Sequence, residues 1–204
     1  MEIKEPIIDG NFYHIYNRGN NGIDVFLETE SNYHFLRLYA KYIEPVAETY
    51  AWCLLKNHFN LLVRIKEKAE IEQDELTYTT TEKPKIIDLS RQFLHLFNAY
   101  TQAINKRHNR TGSLFETTFE RKLVSSEKYF QQLIFYIHNN PVHHGFVNQM
   151  SLYPWSSYET VISDKSTKLK RKDVLELFRD KENFIFYHNR QQNLNEINNL
   201  IIEY

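Results

Sequence analysis

Two short stretches of the chain bring polar side chains into spacings that chemistry can use. The first is His58-Phe59-Asn60. Side chains alternate along a strand, so His58 and Asn60 share one face while Phe59, Leu61 and Val63 take the other. An imidazole nitrogen beside an amide oxygen can hold a divalent ion. The same two residues also suit an ordinary hydrogen-bonded position near a hairpin turn. The second stretch carries Tyr136 and Asn140, four residues apart. Phe130, Leu133, Ile134 and Ile137 form an apolar helical stripe, and Tyr129, Gln132, Tyr136 and Asn140 form another about a quarter turn away. A phenol stacked over an amide at the rim of a buried face would border a pocket. A phenol is a nucleophile only with help, because its reference pKa is near 10. In a chain with 14 tyrosines such a pair also arises without chemistry.

These residues need elements to position them. Phe12 to Tyr16 reads as a strand stopped by the turn Asn17-Arg18-Gly19-Asn20. Ser31 is placed to cap a helix carrying Phe35, Leu38, Tyr39, Tyr42 and Ile43, which Pro45 ends. Thr49–Leu55 and His58–Ile65 read as two strands joined by a two-residue hairpin at Lys56-Asn57. Residues 66–87 read as an exposed acidic and polar insertion, with five acidic side chains between Glu67 and Glu75 against Lys68 alone. Asp88 is placed to cap a long helix through Ile104, and Gly112 marks the turn after it. A fourth strand falls within Leu114–Val124. Ser126 caps a helix to about Asn139, stopped by Pro141 because the residue before proline is pushed out of the helical region. Two further helices are expected over Asp173–Arg179 and near Leu194–Ile202. The order β-α-β-β-α-β-α implies an α+β, ferredoxin-like antiparallel sheet over residues 1–160, followed by a helical extension over 161–204.

Composition narrows the function. The 204 residues suit one domain with appendages. Lys and Arg number 25 against 26 Asp and Glu, which argues against a wholly electrostatic polyanion binder. With no 18-residue apolar run, no membrane partner is expected. A single cysteine, Cys53, removes intramolecular disulfides and thiolate zinc clusters, so a reducing, cytoplasmic setting is expected. Five glycines and neither nucleotide-loop motif leave little means to cradle a nucleotide cofactor.

The blocks YHIYNRGNNG, WCLLKNHFNLLVRI, RTGSLFETTFERKLV, YIHNNPVHHGFV and YPWSSY, in that order, resemble the HUH-type single-strand DNA transposases, particularly the REP-associated tyrosine transposases of the IS200-like branch. The resemblance covers roughly residues 10–160, and VLELF…ENFIFY is similar to the family's terminal helical segment. It implies a metal pair at His58 and Asn60, a nucleophile at Tyr136 and a helix-borne third ligand at Asn140. It also implies single-stranded or hairpin DNA as partner, Mg²⁺ or Mn²⁺ as cofactor, and a second copy of the chain as a further candidate partner. Two departures stand out. The family's His-x-His pair is here His-x-Asn, and Thr118 and Glu120 fall where relatives are often basic.

The near-neutral total conceals a segregation. Seven Lys and Arg lie between Arg91 and Val147 against three Glu. Arg18, Lys106, Arg107, Arg110, Arg121, Lys122, His143 and His144 are the candidates to hold a DNA backbone. The leading expectation is therefore a metal-assisted tyrosine strand transferase. The alternative is a catalytically degenerate hairpin-binding protein, with Asn60 as its motive. An interaction domain unrelated to DNA is the third class.

Overall fold

The computed structural model describes residues 6–75, 89–117 and 119–190. Its sheet has four antiparallel strands in the order β2-β3-β1-β4: β1 Phe12–Arg18, β2 Ala47–Leu54, β3 His58–Ile65 and β4 Glu120–Leu123. This is the ferredoxin-like order. Helices α1 (Thr29–Tyr42) and α3 (Leu89–Arg107) cover one face, and α4 (Glu127–His143) covers the other.

Alternation sorts the two cores. Tyr13, Ile15, Phe59, Leu61 and Val63 pack with Phe35 and Tyr39 of α1 and with Phe93, Leu96, Phe97 and Tyr100 of α3. Leu62, Ala51 and Cys53 pack with Leu133, Ile134 and Ile137 of α4. A register shift between Thr49 and Ala51 inserts Tyr50 into β2. It reverses the parity of that strand, so Ala47 lies in the first core while Ala51 and Cys53 lie in the second. Phe59 fixes β3. Its ring lies 5.3 Å from both Phe35 and Phe97, the latter stacked, and meets Phe115 edge-on.

Several boundaries differ from expectation. Helix α1 begins at Thr29, so Ser31 is a buried interior residue rather than its cap. Glu28 holds the cap position, but its carboxylate pairs with Arg107 at 2.5 Å instead of capping. The acidic insertion opens with a helix, α2 (Lys68–Glu75). Glu70 meets Arg64 at 2.6 Å and Ile71 is buried, so tertiary anchors make helical a stretch whose composition reads as loop. The rest of the insertion, Asp88, Thr118 and the helix expected near Leu194–Ile202 lie outside the described residues. Ser126 does cap α4, accepting from the Tyr129 N–H at 3.2 Å. That helix continues through Pro141 to His143. Asn140 and Pro141 are both buried, and side-chain packing holds Asn140 helical against the local preference of a pre-proline residue.

After α4, residues 153–170 run along β2. Leu54 N–H donates to the Trp155 carbonyl, Ser157 N–H to the Trp52 carbonyl and Lys170 N–H to the Thr49 carbonyl. Helices α5 (Tyr158–Ile162), α6 (Arg171–Leu177) and α7 (Lys181–His188) complete the second core with Val161, Val174, Phe178 and Phe184. Among the described residues no helix is long and apolar enough to cross a membrane.

Removing the ring that pins β3 should be costly. Phe59→Ala is expected to lose about 3–5 kcal/mol of stability in chemical denaturation, and Phe59→Leu markedly less. Equal, small losses in both would show that the ring does not hold the strand.

Candidate active site on the helix α4 face

The chemistry-bearing residues meet between the sheet and α4. His58 opens β3, and its Nε2 lies 3.0 Å from Asn140 Oδ1 on α4. One turn before Asn140, Tyr136 is buried on the same helix, and the Asn140 amide donates weakly to its carbonyl at 3.4 Å. Of the four residues read from the sequence, His58 and Asn140 thus meet through their side chains, and Tyr136 stands one helical turn before Asn140. The fourth, Asn60, is on the same face of β3 but turns its Oδ1 to His14, whose Nε2 donates at 2.8 Å.

His14 had not been singled out. Together with Tyr16 it lies on the β1 face that α4 covers, its ring 4.7 Å from Tyr16 and 6.3 Å from Tyr136. The signal for it was parity: once β1 is placed beside β3, His14 and Tyr16 alternate with the core residues Tyr13 and Ile15. A lone histidine in a strand gives no other hint. His14 Nδ1 and Asn60 Nδ2 are buried with no hydrogen-bond partner among the described residues. A buried polar atom costs about 1–3 kcal/mol unless water or a ligand satisfies it.

Burial keeps these rings neutral. Desolvation pulls the His14 pKa down to about 4, against a smaller upward pull from its bond to Asn60, with Lys122 adding to the lowering. His58 is likewise pulled down to about 4 by desolvation, opposed by its bond to Asn140, with His144 and Arg18 lowering it further. A neutral imidazole carries one N–H, yet His58 faces two amide oxygens, because its Nδ1 also lies 2.8 Å from Asn57 Oδ1. With the proton on Nδ1 and donated to Asn57, the Nε2 lone pair points at the site. That is the tautomer a metal ligand requires, oriented by a partner behind it.

The donor set fits a hard divalent ion. Two ligands at right angles on an ion with bonds of about 2.1 Å lie about 3.0 Å apart, which is the His58 Nε2 to Asn140 Oδ1 separation of 3.0 Å. Among the described residues no three of His, Cys, Asp and Glu converge as a metal cluster. An ion placed here would be bound through imidazole and amide oxygen rather than thiolate, a set that would suit Mg²⁺ or Mn²⁺ better than a thiolate-preferring metal. Cys53 takes no part: it is buried, and burial raises its thiol pKa.

The basic candidates divide by place. Arg18 pairs in register with His58, and its Nε donates to Glu116 at 2.8 Å. Lys122 is paired with His14, so both project from the face that α4 covers. Arg121 pairs with Ile15 on the opposite face, its guanidinium 5.3 Å from the Phe119 ring. Lys106 and Arg107 end α3, with Arg110 in the loop beyond. His143 and His144 end α4, and the His144 ring lies 5.4 Å from that of His58.

A four-stranded ferredoxin-like sheet thus faces a tyrosine-bearing helix across a strand that opens on His58. A solved REP-associated tyrosine transposase, bound in its own structure to a REP hairpin, superposes with a TM-score of 0.58 at 17% identity, covering 80% of this chain and 86% of that one. A Haemophilus influenzae protein carrying the name REP-associated tyrosine transposase is 26% identical over 111 residues, 54% of this chain and 58% of that relative's length. No family model matches the chain. The structural likeness shows a shared fold, and the sequence likeness spans little more than half of either chain.

The neutral histidines set a pH dependence. Their folded pKa values lie below the unfolded value of 6.5: His14, His58 and His188 at about 4, and His138 well below 6.5. The unfolded chain then binds more protons than the folded one as pH falls through 6.5, so stability drops until His14, His58 and His188 titrate near 4. The slope is up to about 1.4 kcal/mol per pH unit for each ring. Unfolding midpoints measured between pH 7 and pH 5 should fall steadily. A flat profile would show that these rings are not held neutral.

Proposed function

We propose that the chain is a metal-assisted tyrosine strand transferase that cleaves and rejoins single-stranded or hairpin DNA. The observation that carries this reading is the juxtaposition of Tyr136 and Asn140 on α4 with His58 on β3. The likeness to a REP-associated transposase bound to a REP hairpin supports the same class of substrate.

In this reading His58 Nε2 and Asn140 Oδ1 are the pair that would hold the ion, with Asn60 beside them. A divalent ion there supplies charge neutralisation at a non-bridging phosphate oxygen and orients the scissile link. The Tyr136 oxygen attacks phosphorus in line and gives up its phenolic proton to solvent. A bond forms between that oxygen and phosphorus as the bond to the 3′ oxygen breaks, and the leaving oxygen takes a proton as a 3′-hydroxyl. The product is a covalent 5′-phosphotyrosine. Attack by a 3′-hydroxyl reverses the step, so rejoining consumes no nucleotide. Arg18 and Lys122 border the site and supply positive charge for the strand on either side.

A second reading, a hairpin-binding protein without cleavage, draws on one observation: the Asn60 oxygen that would replace a second histidine is hydrogen-bonded to His14. Labelled hairpin DNA from the locus flanking the gene, incubated with Mg²⁺ or Mn²⁺ and run on a denaturing gel, separates the two. Strand transfer gives a metal-dependent covalent adduct that Tyr136→Phe lowers by roughly a thousandfold or more while hairpin affinity is retained. Tight binding with no adduct from the unaltered chain would establish the second reading.

A further inference from the structure

The replacement of a second histidine by Asn60 leaves the site short of an imidazole, and the structure offers another. His144 follows α4, its backbone N–H donating to the Asn140 carbonyl at 3.0 Å, so it stands one turn beyond Asn140. It is half-buried, whereas His143 beside it is exposed. Its ring centroid is 5.4 Å from that of His58, with the planes 72° apart. Two imidazoles bound to one ion through bonds of about 2.1 Å have centroids about 4.6 Å apart at a right angle and about 5.3 Å apart at the tetrahedral angle. The observed 5.4 Å is close to the tetrahedral value and about 0.8 Å beyond the right-angle one, a gap that rotation of the His144 side chain can close without movement of the backbone.

Asn60 is less suited to the same task. Its oxygen accepts the His14 proton at 2.8 Å, and the buried atom left without a partner is the amide nitrogen Nδ2, a donor. A donor repels a cation and suits a phosphate oxygen. The strand position therefore offers an N–H, and the helix end carries an imidazole.

We propose that the divalent ion is held by His58, Asn140 and His144, with His144 in place of the ligand expected at position 60. The inference rests on the metal-assisted reading above. Asn60, kept in orientation by His14, donates to the substrate phosphate instead. The ligand set then draws one residue from β3 and two, a turn apart, from the end of α4.

The test uses Mn²⁺ alone with the full chain, by calorimetry and by pulsed electron paramagnetic resonance of the bound ion. The unaltered protein should show two coupled imidazole nitrogens. His144→Ala should show one and bind roughly tenfold or more weakly, while His143→Ala and Asn60→Ala keep both nitrogens and stay within about threefold. The assignment is overturned if His144→Ala keeps two nitrogens and full affinity, or if Asn60→Ala loses as much as His144→Ala; Mn²⁺ bound by the unaltered chain would leave the metal-assisted reading standing in either case. No Mn²⁺ binding to the unaltered chain would remove both. Because His144 is at the surface end of its helix, His144→Gln serves as a second variant, expected to retain the fold and to lose the second nitrogen.

Discussion

The burial of Phe59 is the constraint on which the site depends. Its ring is locked among Phe35, Phe97 and Phe115 on the α1/α3 face, and strand geometry then leaves its two neighbours no choice but the other face. His58 and Asn60 are polar residues forced into the layer beneath α4 by an aromatic residue that has nothing to do with chemistry. A slip of one residue would bury the imidazole among phenylalanines and put Phe59 against Asn140.

Opposite this strand, α4 contributes its residues by a different periodicity. Ser126 fixes where the helix starts, and a turn separates Tyr136 from Asn140. The 3.0 Å approach of His58 Nε2 to Asn140 Oδ1 joins the period of two to the period of 3.6 at one point. Behind His58, Asn57 supplies the partner for its other nitrogen from the hairpin turn itself. The turn thus reverses the chain and also settles which nitrogen faces the site.

Much of this could be read from residue order, and the exceptions have physical reasons. β3 was legible to the residue, because HFNLLVRI is bounded by a turn and alternates around Phe59. The pairing of Tyr136 with Asn140 was legible as helical spacing. Pro141 misled, since a local steric preference was outweighed by the packing of Asn140 and its neighbours. Helix α7 was legible only through the likeness of ENFIFY to a terminal helical segment, because NFIFYH is apolar without a clear stripe; Phe184 and His188 are both buried, and the latter is bound to His138 at 3.1 Å. His14 was hidden by its distance in sequence: it lies 46 residues from Asn60, and only strand pairing brings the two into contact.

The run of residues 153–170 along β2 has a consequence for how the sheet could meet another molecule. A border strand with open amides and carbonyls is a template on which a further strand can add. Here the outward groups of Thr49, Trp52 and Leu54 are already taken by Lys170, Ser157 and Trp155. The other border, β4, has only four residues, three of them charged. Continuation of the sheet into a second molecule is thus blocked on one side by the chain's own backbone, and on the other is confined to a short, charged margin beside the site.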